Sequence, residues 1–97
     1  MRAVELAIYA DALAGEAASL SARAERARSR LRQGTIERRA RTELTQVAVE
    51  RLETLGLLGA IDEPAVRAEL RELEAALDAL EELQSWVEGE LEAATAA

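Results

Sequence analysis

The sequence predicts an all-α protein: a three-helix antiparallel bundle, up-down-up, with long first and third helices and coiled-coil-like packing. Three observations carry this. Over the last third of the chain, Val66, Leu73, Leu80, Val87 and Ala94 recur every seven residues. Leu70, Leu77, Gln84 and Leu91 fall four after the first four of them, which makes one apolar seam on a helix of about 30 residues. Helix-breaking residues cluster at only two points, and no segment alternates with the two-residue period of a half-buried strand.

Residues 2–33 are predicted to form the first helix. Leu6, Leu13, Leu20 and Ala27 repeat every seven, and Tyr9, Ala17, Ala24 and Leu31 fill the neighbouring column. Val4, Ile8 and Ala12 add a second apolar face at its start. Gly15 either marks a close backbone approach or is tolerated at a cost of about 1 kcal/mol against Ala. Gln33-Gly34-Thr35 reads as the first break, with Gly34 at a left-handed position and Thr35 capping the next helix. The second helix, 36–55, is expected to bury Ile36, Ala40, Leu44, Val47, Ala48, Leu52 and Leu55, and to stop at Gly56. Leu57 to Ile61 form an apolar connector. Asp62 caps the third helix, 64–94, and Pro64 lies in its first turn, where it forfeits no hydrogen bond.

The 97 residues amount to one domain, 1–97, whose core must be thin. Leu, Ile and Val number 23, but Ala supplies 22, Phe is absent, and Tyr9 and Trp86 are the only aromatics. Alanine lets helices approach closely and removes little apolar surface. Self-association is therefore expected to complete the fold. All 12 basic residues are Arg, an association with GC-rich bacterial genomes.

Composition excludes most chemistry. Without Cys there is no disulfide framework or thiolate metal site, and without His the helical di-iron arrangement loses its ligands. Asp78/Glu82 and Glu88/Glu92 are spaced to share a hard cation, yet read as a solvated acidic face. No base is set up for acid–base or nucleophilic catalysis. All-helical chorismate mutases are three-helix chains of similar size whose sites use Arg, Lys and Gln or Glu. This chain has no Lys and lacks their opening Arg/Asp pattern, which sets that reaction aside. No phosphate-binding glycine loop occurs, since Gly56-Leu57-Leu58-Gly59 has the wrong spacing and no following Lys. No enzyme activity, cofactor, metal or small-molecule ligand is predicted. No run of 18 apolar residues could span a membrane, and Glu5 and Asp11 interrupt any leader-like stretch after Arg2. The chain is read as cytoplasmic.

Charge is polarised within a net of −7. Arg23, Arg26, Arg28, Arg30, Arg32, Arg38, Arg39 and Arg41 crowd nineteen residues that hold only Glu25 and Glu37, whereas no base follows Glu72. Folding the chain at Gly34 and Gly59 sets Arg28 to Arg41 level with Asp78 to Leu91, so the Arg corner is expected to face the acidic length of the third helix.

These features converge on a non-catalytic helical interaction protein (scaffold, adaptor or assembly subunit) that uses helix–helix contacts with a protein partner or with itself. The expected interface residues are Leu80, Leu83, Gln84, Trp86, Val87 and Leu91 on the third helix, and Val4, Ile8 and Tyr9 on the first. Gln84 sits where Leu is expected, either at a partly buried seam end or as a register-setting polar residue. Trp86 lies off the seam, either as part of a second contact surface or folded over the bundle edge. The alternative is a nucleic-acid-associated subunit binding phosphates through Arg28, Arg30, Arg32, Arg38, Arg39 and Arg41. Against it, no aromatic is interleaved for base stacking.

Overall fold

The computed structural model describes residues 3–96, and these contain helices and no strand. Arg2, where the first helix was expected to begin, lies outside the described residues, as does Ala97. Three helices follow in order: α1 (Ala3–Glu43), α2 (Gln46–Thr54) and α3 (Glu63–Ala96). α1 packs against α3.

The break expected at Gly34 does not exist. α1 continues for 41 residues and ends ten residues later than predicted. Thr35 tells the two outcomes apart. A capping hydroxyl would accept from an amide ahead of it, whereas Thr35 Oγ1 donates back to the Leu31 carbonyl at 3.1 Å, as an interior helical Thr does. Thr42 does the same to Arg38 at 2.9 Å. Gly34 answers a packing need instead. A Cβ placed there would lie 2.8 Å from Glu63 Oε1 and 3.1 Å from two of that side chain's carbons.

The chain turns at Leu44-Thr45. Thr45 is extended (φ −67°, ψ 157°), and its hydroxyl caps α2 by accepting from the Ala48 amide at 3.3 Å. α2 is only nine residues long. Of the residues expected to be buried along 36–55, Ile36, Leu44, Val47 and Leu55 are exposed; Ala40, Ala48 and Leu52 are half-buried, and Val49 is the buried one. The predicted face assumed a single phase from Ile36 to Leu55, and the turn at residues 44–45 resets that phase.

Gly56 stops α2 as expected. Its φ of 74° is the left-handed value that only glycine adopts without strain. The Gly56 amide bonds the Glu53 carbonyl and the Leu57 amide bonds the Leu52 carbonyl, the paired closure of a glycine-terminated helix. Asp62 caps α3, its carboxylate accepting from the Ala65 amide at 3.1 Å.

Two compact units result. One comprises residues 3–24 with 71–96; the other is the continuous stretch Glu25–Leu70. In the first, α1 buries Leu6 and Ala24 and half-buries Ala3, Ala10, Leu13, Ala17 and Leu20. α3 buries Leu73 and Val87 and half-buries Leu77, Leu80, Gln84 and Leu91. Both sets keep the alternating three–four spacing of a helix–helix seam. Tyr9, assigned to that seam from sequence, is exposed; Ala10 holds its place. In the second unit Ala27, Val49, Leu58 and Val66 are buried, as is Glu37.

Candidate functional site

The expected interface residues divide by burial. Val87 is buried, and Leu80, Gln84 and Leu91 are half-buried, so most of their apolar surface is already removed from water within this chain. Leu83, Trp86, Val4, Ile8 and Tyr9 remain exposed, at 44%, 58%, 71%, 64% and 54%. The Leu57–Ile61 connector buries Leu58 within Glu25–Leu70.

The exposed residues fall on different faces. Val4 and Ile8 stand two residues either side of buried Leu6, which puts them roughly opposite the seam. Leu83 and Trp86 are spaced i, i+3 on α3, and the exposed Ala79 and Ala76 continue their row toward the N-terminus. Acidic side chains surround that row. The described residues of this unit hold Glu5, Asp11, Glu16 and eight acids from Glu72 to Glu92, against Arg23 and Arg71 alone, a net charge of −9.

Arg28 to Arg41 belong to the unit Glu25–Leu70, whereas Asp78 to Leu91 group with residues 3–24. Acids within Glu25–Leu70 pair with five of its arginines. Arg32 reaches Glu25 at 2.9 Å and Arg28 reaches the same carboxylate at 3.7 Å. Arg39 pairs with Glu43 at 2.9 Å, Arg38 with Glu63 at 3.0 Å, and Arg41 with Glu53 at 2.6 Å. The hydrogen bond and charge of Arg32 hold the Glu25 carboxyl below its ordinary range, with Arg28 adding to the effect. Arg30 is exposed and forms no ion pair among the described residues.

Within Glu25–Leu70 a polar clamp emerges that sequence reasoning missed. Glu37 and Arg41, one turn apart on α1, grip both sides of one residue in the connector. The Gly59 amide donates to Glu37 Oε1 at 2.9 Å, and Arg41 donates to the Gly59 carbonyl at 3.2 Å. Gln33, one turn earlier, donates weakly to the same Glu37 oxygen at 3.4 Å. Glu37 is buried to 7% exposure, which such bonds make affordable for a carboxylate. The signal was the ladder Gln33, Glu37, Arg41 at four-residue spacing, visible but indistinguishable from a solvated face. A pocket of about 250 Å³ lies among Gly34, Glu37, Arg38, Arg41, Gly59 and Glu63. Glu63 Oε1 is buried in it without a hydrogen-bond partner, close against Gly34. Arg38 pairs with Glu63 while Glu37 and Arg41 hold Gly59, so the arrangement fastens the connector to α1.

Among the described residues, no group of three or more acids could hold a metal ion, and no helix is long and apolar enough to cross a membrane. No protein-family model, no curated protein and no solved structure matches this chain.

Proposed function

We propose that this protein is a non-catalytic helical interaction module that acts by helix–helix contact. The observation that carries the reading is the exposed row Ala76, Ala79, Leu83 and Trp86 on a helix whose adjacent seam is already occupied. A half-exposed Trp beside a half-exposed Leu is costly in water, and such side chains are typical anchors of helix-on-helix recognition.

In this reading α1 and α3 run antiparallel with coiled-coil-like packing, and α2 is the short return between them. Two features support it. The start of α1 groups with the later part of α3, and both helices bury residues at seven-residue repeats.

Self-association is one form of such contact, and light scattering behind a sizing column tests it. Concentration-dependent mass that Leu83→Asp abolishes, with helical content intact, supports a second copy on this face. A monomer at every concentration excludes it. The nucleic-acid reading has less support, because the local acids already engage Arg28, Arg32, Arg38, Arg39 and Arg41. It requires a salt-sensitive mobility shift that Arg38→Glu with Arg39→Glu removes, and the absence of a shift at low salt ends it.

A further inference from the structure

We infer that the Ala79–Leu83–Trp86 face of α3 docks a cationic amphipathic helix from another protein. The inference deepens the interaction-module reading and rests on it.

The row is apolar where a helix would seat and acidic where its flanks would lie. Ala76, Ala79, Leu83 and Trp86 follow one another at steps of three or four residues, all exposed. Small alanines at one end allow close approach of a second backbone, and Leu83 with Trp86 supply the large apolar anchors at the other. Glu72 and Glu90 continue the row at its two ends and Glu82 borders it, each exposed. No basic side chain follows Arg71 in the sequence.

Charge selects among the occupants. Two copies meeting through this same face would set one acidic unit, net charge −8 in the sequence, against another, and repulsion between two such surfaces opposes their contact. An anionic lipid surface is repelled for the same reason. A helix with an apolar stripe flanked by Lys or Arg meets both demands at once: its stripe covers Leu83 and Trp86, and its cations answer Glu72, Glu82 and Glu90. Specificity against acidic helices comes with the same residues.

The test uses the full chain and two synthetic peptides of about 21 residues with Leu at heptad core positions, one carrying Lys elsewhere and the other Glu. Binding is followed by calorimetry and by Trp86 emission. The Lys peptide is expected to bind at least tenfold more tightly than the Glu peptide, to shift Trp86 emission to the blue and to weaken with added salt. Leu83→Asp is expected to weaken it at least tenfold with the helical circular dichroism unchanged. That outcome is discriminating, since a further acid would strengthen mere charge attraction. Glu82→Gln with Glu90→Gln is expected to weaken it about threefold at low salt, whereas Val4→Asp with Ile8→Asp leaves it unchanged. Lys-peptide binding that survives Leu83→Asp, or no binding, overturns the inference. A concentration-dependent oligomer broken by Leu83→Asp overturns the occupant while leaving the interaction-module reading in place.

Discussion

Two glycines in α1 look alike in sequence and differ in what surrounds them. A Cβ at Gly15 would meet nothing within 4 Å, so this residue carries the helical penalty of glycine with no packing return. Gly15→Ala is therefore expected to raise unfolding stability by about 1 kcal/mol in chemical denaturation. Gly34→Ala gains the same propensity but must displace the Glu63 carboxylate, which Arg38 holds at 3.0 Å. It is expected to gain less than Gly15→Ala, and to recover the difference in a Glu63→Ala background. A double-mutant cycle reads that coupling directly. At Glu25 the expectation concerns titration. Its folded pKa lies below the ordinary value, so its contribution to stability is present above the unfolded carboxylate pKa and fades as pH falls through the folded one. Carbon-13 NMR of the side chain should show Arg32→Ala moving this pKa upward.

Among the elements, α3 was the most legible. Its seam from Val66 to Leu91, its Asp62 cap and its stop-free length all follow from local rules, because apolar periodicity and capping act within a few residues. The end of α1 was not legible. Gly34-Thr35 is a sound local stop signal, but a long Ala- and Arg-rich helix tolerates one glycine, and the contact that makes glycine useful there comes from Glu63, 29 positions away. The α2 face was misread for the same reason, since its phase depends on where the turn falls. Thr45, passed over as a cap, now carries the start of a nine-residue helix. Thr45→Ala is expected to cost about 1 kcal/mol. Glu37→Ala removes the acceptor of the Gly59 amide, with an expected cost of about 1–3 kcal/mol. Hydrogen exchange should show that amide losing its protection first.

At the scale of the whole molecule, the candidate site was half legible. Trp86 and Leu83 stood out because large apolar residues off a seam need a cover. Sequence alone could not separate them from Leu80, Val87 and Leu91, because how far α1 extends decides what is covered. That separation is measurable. Val87→Asp places a charge at a position 3% exposed and is expected to unfold the unit of residues 3–24 and 71–96, whereas Leu83→Asp should leave its helical signal intact. Circular dichroism melts of the two variants compare them.

The turn at Leu44-Thr45 also bears on the order in which the chain assembles. Glu25–Leu70 is one continuous stretch whose contacts join residues near in sequence, from the Thr45 cap to the Gly59 clamp. The other unit joins segments separated by that entire stretch, so its closure carries the larger loop entropy unless the stretch between is already folded. The central stretch is thus the natural nucleus, and the two chain ends zip together afterwards. Substitutions at the clamp would then slow folding, while those at Leu6 or Val87 would chiefly hasten unfolding.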